Sequence, residues 1–284
     1  NLEVGRLFFE FSRKNNINVK YLVINELKIH GEEPPKNVVD NMNNSNLIIG
    51  LTKFSMAHSK ARIMAENKGN RYLSLADYSK RNLIDDSLRE NFLKKGKISK
   101  EFAKKLTNSH TIKIMSKKGT NLIIDTTNRK GNNAPGYVNN EILLGSPPDI
   151  EANIAPIENN SNGVIVIDGS IPYPGIGLIK KSISLEISNG KIISIKGDEI
   201  IQTKLNKIFH EYGEKSTILS ELGVGFNKKA KLCGNMLIDE GVYQTIHLGF
   251  GSNIALGGEN KIGFHLDFVL YQQNLIIDNE SIRI

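Results

Sequence analysis

The spacing of apolar residues changes about halfway along the chain. Through residues 5–126 it alternates between a helical period and short continuous apolar runs. Gly5 to Asn15 sets Leu7, Phe8 and Phe11 on one helical stripe. Tyr21-Leu22-Val23-Ile24, Leu47-Ile48-Ile49-Gly50-Leu51 and Arg71-Tyr72-Leu73-Ser74-Leu75 are brief apolar runs of the kind that buried parallel strands show. Helices are expected between them at 35–43 and 55–68, the second stopped by Gly69. Strand and helix in alternation imply a parallel sheet covered by helices. Residues 111–116 and 121–126 read as a hairpin.

Residues 127–150 are rich in Asn, Gly and Pro and read as a connection. Beyond them Val164 to Asp168 is a strand, while 182–187 and 191–195 alternate apolar and polar residues across Asn189-Gly190, a hairpin signal. One amphipathic helix carries Ile201, Leu205, Ile208 and Tyr212 and stops at Gly213. The expected organisation is an α/β domain with a parallel sheet over 1–130, then an α+β metal-binding domain with mostly antiparallel strands over 131–284.

Candidate chemistry lies in the second half. In Gly263-Phe264-His265-Leu266-Asp267-Phe268-Val269-Leu270, His265 and Asp267 are two residues apart, so on a strand both face one way. Leu266, Phe268 and Leu270 form the opposite, buried face. His247 lies 18 residues upstream, in Thr245-Ile246-His247-Leu248-Gly249-Phe250-Gly251. Two imidazoles and a carboxylate can hold a catalytic metal with positions left open. Glu221, after the apolar Ile218-Leu219, is a costly place for an unpaired carboxylate, and a metal or a cationic partner removes that cost. Glu151 precedes Ala152-Asn153-Ile154-Ala155-Pro156. Each residue also has a structural alternative: Glu221 and Glu151 as salt-bridge partners, His247 as a hydrogen-bonded core residue, His265 and Asp267 as one face of an exposed edge strand. His30 and His58 could face a cleft, His110 precedes a strand without an evident partner, and His210 lies on the polar side of its helix.

Composition narrows the picture. The formal charge is +7, but the densest lysine clusters, Lys117-Lys118 and Lys228-Lys229-Ala230-Lys231, have no interleaved aromatics, so a solvated surface is expected and no nucleic-acid partner. No run of about 18 apolar residues predicts a membrane-spanning helix. The lone cysteine, Cys233, excludes an internal disulfide and a thiolate zinc cluster and fits a reducing cytoplasm. The first residues contain no legible secretory leader.

Taken in order, several segments resemble the aminopeptidase T/aminopeptidase S family of metallopeptidases. They are His30 to Pro35, Ser55 to Arg62, Glu151 to Pro156, Glu221 to Gly225, Asp239-Glu240, His247 to Gly251 and His265 to Asp267. The resemblance implies a metal site held by Glu151, Glu221, His247, His265 and Asp267, with a divalent ion such as zinc, cobalt or manganese. It also implies a homo-oligomer. A metallo-aminopeptidase is therefore expected. It would release N-terminal amino acids from peptides through a metal-activated water, with Glu151 or Glu221 as the base. The chain departs from the family at Ile254, where the peptidases carry a tyrosine ligand, and it is shorter than the full peptidases. The same superfamily includes a mononuclear iron enzyme, 2,5-dihydroxypyridine dioxygenase, with two histidines and an aspartate. The alternative is thus an Fe(II) ring-cleaving dioxygenase of a small molecule, with His247, His265 and Asp267 as its triad. A third reading, a binding protein without metal, leaves the retained histidines and carboxylates unexplained.

Overall fold

The computed structural model describes residues 1–28, 31–271 and 274–282, and the chain forms two compact units. The first is Asn1–Arg89 with Gly136–Pro147, and the second is Glu90–Pro135 with Pro148–Ile284. A single boundary at residue 130 is therefore replaced by three crossings. Helix Phe92–Thr107 and the strands Thr111–Met115 and Asn121–Asp125 place Phe102, Leu106, Ile112 and Leu122 in the core of the second unit. Conversely, Leu144–Gly145 returns to the first unit as a strand.

In the first unit, Leu47–Gly50, Arg71–Ser74 and Leu144–Gly145 make a three-stranded parallel sheet. Helices Lys36–Asn43 and Lys60–Glu66 contribute Val38, Met42, Ala61 and Ala65 to a core that includes Tyr72. The second helix is shorter than the 55–68 expected. Ser59 caps it by accepting a hydrogen bond from the Arg62 amide, so Ser55 to His58 stay outside it. The strand expected at 21–24 is not formed. Leu22 and Val23 are exposed, and the third strand is Leu144–Gly145 instead.

The second unit contains two seven-stranded antiparallel sheets. One runs in the order Lys191–Lys196, Ile183–Ser188, Asn162–Ile167, Asn121–Asp125, Thr111–Met115, Asn274–Ile277, Glu280–Ile282. Its apolar period-2 positions, including Ile114, Ile124, Ile165 and Leu185, are fully buried. The other runs Gly177–Leu178, Ser170–Ile171, His265–Tyr271, Thr245–Gly251, Leu219–Gly225, Glu151–Ile154, Asn132–Ala134. From it Ala152, Ile154, Leu222, Val224, Ile246, Leu248, Phe250, Leu266, Phe268 and Leu270 join the same core cluster. Helix Glu199–Tyr212, capped by the Asp198 carboxylate, adds Leu205, Ile208 and Phe209. The architecture is thus a mixed α/β fold with one parallel and two antiparallel sheets. No helix of the described residues is long and apolar enough to cross a membrane.

Phe250 and Phe268 meet edge to face at the centre of this core, with ring centroids 5.3 Å apart. Phe268→Ala is expected to lower unfolding free energy by about 3–5 kcal/mol in urea denaturation. A change within about 0.5 kcal/mol, the size usual at surface positions, would contradict this packing.

Candidate metal centre

The sheet that contains His265 has a second face with a different composition. Register fixes it. Glu151 pairs with Gly225, and Asn153 with Gly223. Gly223 pairs with His247, and Glu221 with Gly249. His247 pairs with Val269, Gly249 with Asp267, and Gly251 with His265. Directly paired residues share a face, as do residues two apart on one strand. Glu151, Asn153, Glu221, His247, His265 and Asp267 therefore all project to the side opposite the apolar core.

Two glycines give this face its room. A Cβ on Gly223 would lie 2.0 Å from His247 Nε2. One on Gly249 would lie 2.6 Å from His265 Nε2 and 2.9 Å from Glu221 Cβ. The imidazoles lie over strands that have no side chain at those points.

The ligand atoms gather into two groups that share Glu221. Glu151, Glu221 and His247 form one, and Glu221, His265 and Asp267 the other; within each, the ligand atoms lie within 4.8 Å of one another. His247 Nε2 is 3.0 Å from Glu151 Oε2 and 3.5 Å from Glu221 Oε1. His265 Nε2 is 3.1 Å from Glu221 Oε2 and 3.1 Å from Asp267 Oδ1. The triad expected of His247, His265 and Asp267 is not gathered around one point in this way. His247 is level with Val269, two residues past Asp267 and four past His265, so it meets Glu151 instead.

Burial and charge give the site its character. Glu151, Glu221, His247 and Asp267 are buried, whereas the His265 side chain keeps 30% of its surface and faces solvent. Burial favours neutral imidazoles, yet Glu151 and Glu221 around His247, and Asp267 and Glu221 around His265, raise both well above their ordinary value. Burial likewise opposes ionisation of Glu221 and Asp267. Hydrogen bonds and charge from the imidazoles override it and hold both carboxyls below the ordinary range. Burial raises Glu151, although His247 opposes it. His265 Nδ1 lies 2.9 Å from the Ser252 carbonyl, whereas His247 Nδ1 has no hydrogen-bond partner among the described residues.

Two further carboxyls belong to this region. Asp149 and Glu240 are pushed well above the ordinary range, first by burial and then by neighbouring acids, Glu151 for Asp149 and Asp267 for Glu240. Glu240 makes a hydrogen bond that helps hold Asp267 ionised. Asp149, in a Pro-Pro loop, was not marked in the sequence, whereas Glu240, after the short helix Met236–Asp239, belongs to the Asp239-Glu240 segment of the resemblance. Their neighbour Asp239 is instead a structural brace, accepting from Ser170 Oγ and from the Cys233 and Gly234 amides. Ile254 sits half exposed in a 3₁₀ turn and has no donor atom to offer in place of a tyrosine. Among the other histidines, His110 pairs with Asp278, 3.7 Å away, while His58 and His210 are exposed. His30 lies outside the described residues.

An antiparallel sheet with one face in the core and a clustered imidazole–carboxylate set that could hold a metal ion on the other defines the class of this mixed α/β protein. The chain belongs to the NicX family, 2,5-dihydroxypyridine 5,6-dioxygenase, whose model matches residues 10–283. Among solved structures, 2,5-dihydroxypyridine dioxygenase from Pseudomonas putida KT2440 is similar with a TM-score of 0.75 and 17% identity, over 94% of this chain and 80% of that one. AmpT from Thermus thermophilus is similar with a TM-score of 0.65 and 12% identity, over 97% of this chain and 87% of that one. At these identities both likenesses concern the fold. No curated protein matches the chain. The link to an aminopeptidase T-like fold holds, but the expected peptidase activity is corrected. The family is that of the dioxygenase, and AmpT is the more distant of the two structures.

The titration of this cluster has a definite sign. Unfolded imidazoles titrate near 6.5, so the stabilisation from His247 and His265 is complete below about that pH. It is lost as pH rises through their raised folded values. Asp149, Glu151 and Glu240, raised as well, act in the same direction, because they hold protons that the unfolded chain has released. Chelator-treated protein is expected to lose melting temperature as pH rises above about 6.5, through the raised folded values of the two imidazoles. A flat or rising melting temperature above that pH would show that the cluster does not bear these charges.

Proposed function

We propose that this chain is an iron(II)-dependent dioxygenase that opens the ring of a 2,5-dihydroxypyridine between positions 5 and 6. Family membership supports the reaction. The observation that carries the metal reading is a buried set of carboxylates and imidazoles whose leading electrostatic partners are one another.

The donors fit a cation. His265 Nδ1 faces a backbone carbonyl, which selects the tautomer with the proton on Nδ1. Without metal, Nε2 shares a proton with the oxygens of Glu221 and Asp267, the contacts that raise His265, and a cation among them would take that proton's place. Glu151 Oε2 is buried and has His247 Nε2 nearby without the alignment of a hydrogen bond. Nitrogen and carboxylate donors without thiolate suit iron(II). Glu221, His265 and Asp267 would hold the ion, with Glu151 and His247 adjoining through the shared Glu221. When bound, iron(II) supplies open positions at which dioxygen and a hydroxylated ring are activated together.

The chain's own residues prepare that site. His265 forms its solvent-facing side, from which a small planar substrate enters. Buried Glu151, His247 and Asp267 leave little room for bulk water on the inner side. Glu240, pushed well above the ordinary range first by burial and then by Asp267, hydrogen-bonds that carboxylate and helps to orient it. Asp149 is a second carboxyl pushed well above the ordinary range, by burial and then by Glu151.

Protein purified without oxygen and loaded with ferrous ion is expected to hold about one iron per chain. It should then consume oxygen on addition of 2,5-dihydroxypyridine, followed with an oxygen electrode. Asp267→Ala should lose both iron and oxygen uptake. Iron-loaded protein that consumes no oxygen with this substrate, or an Asp267→Ala variant equal to the parent, would overturn the proposal.

A further inference from the structure

Asn153 stands two residues after Glu151 on the same strand and face, and it is buried. Both ends of its amide are engaged. Nδ2 donates to Glu151 Oε1 at 2.7 Å, and Oδ1 accepts from Asn132 Nδ2 at 3.1 Å. Asn132 is the residue opposite Asn153 in the ladder, and its Nδ2 also reaches the Leu256 carbonyl at 3.3 Å. Leu256 belongs to a turn fixed by other contacts. Arg129 donates to the Gly257 carbonyl and pairs with Glu158, and Glu158 in turn accepts from Asn253 Nδ2. The Ser252 carbonyl that faces His265 Nδ1 lies in the same segment. Residues 252–258 therefore reach the site at two places: His265 directly, and Glu151 through Asn132 and Asn153.

A carboxylate can present either oxygen unless one is committed. Here Oε1 is committed to an amide donor, so Oε2 is the oxygen left beside His247. Only a side chain that donates at one end and accepts at the other fits between Glu151 and Asn132. Leucine of similar size does neither, and aspartate would place a second negative charge against Glu151.

We infer that Asn153 is a positioning residue. It fixes Glu151 with Oε2 toward His247, the pair that adjoins the cation site through Glu221, and ties that setting, through Asn132, to the segment that orients His265. This inference rests on the metal reading above. It differs from that reading in naming a residue that touches no ion.

Cobalt(II) titration of metal-free protein, followed by visible absorption and by metal content, tests it. Asn153→Leu is expected to weaken cobalt affinity by about 10-fold, the lower end of the effect of losing an orienting partner because Glu151 adjoins the ion rather than holding it, and to change the shape of the absorption bands. Asn132→Ala leaves Asn153 in place and sits at a half-buried edge position. It should alter the same bands with a smaller loss of affinity, and it decides the matter if Asn153→Leu does not fold. Parental affinity and band shape in Asn132→Ala, or in folded Asn153→Leu, would overturn the positioning role while leaving the metal reading intact. A parent protein that takes up no stoichiometric cobalt would instead overturn the metal reading, and this inference with it.

Discussion

Much of the second unit is organised around holding negative charge on a buried sheet face. Removing a carboxylate from water costs several kcal/mol unless partners compensate, and Glu151, Glu221 and Asp267 are buried within one small region. Other features follow from that constraint. Gly223 and Gly249 leave space for the imidazoles that approach the carboxylates. Asn153, Glu240 and the Ser252 carbonyl each fix one member of the cluster. The opposite face, with Leu222, Leu248, Phe250 and Phe268, supplies the apolar burial that lets a polar face persist inside the unit.

The parts of this arrangement legible in sequence were those set by strand period. His265 and Asp267 share a face because they are two apart, and Leu266 and Phe268 must then point to the core; both hold. Glu221 was marked by its apolar surroundings. What remained hidden depends on register and on tertiary contact. His247 belongs with Glu151 rather than with Asp267 because of where its strand is aligned, which no single strand encodes. Asp149 is brought to the site by a loop without a period, and Glu240 was marked only through the resemblance, in Asp239-Glu240. The short run Tyr21 to Ile24 has strand composition but no neighbouring ladder, and helix Phe92–Thr107 with the hairpin after it joins the later core because of packing, not local propensity.

Activity was harder to read than ligation for a related reason. Hydrolytic and oxygenative sites both draw on imidazole and carboxylate donors. The ordered motifs therefore point to a scaffold, with residues that could hold a cation, before they point to a reaction. Ile254 was the one local departure, and its half-exposed place in a turn leaves no donor where the peptidases have tyrosine.

Charge balance carries the argument one step further. Burial and neighbouring acids push Asp149 and Glu240 toward the neutral form. Glu151 and His247 lie 3.0 Å apart, each the other's leading charged partner. Glu221 and Asp267 are held below the ordinary range beside His265, which they raise in turn. On the proposed reading, a divalent cation among Glu221, His265 and Asp267 would take over the positive charge that His265 supplies in its absence and leave Nε2 of His265 free to ligate. Glu151 and His247 would adjoin that cation through the shared Glu221.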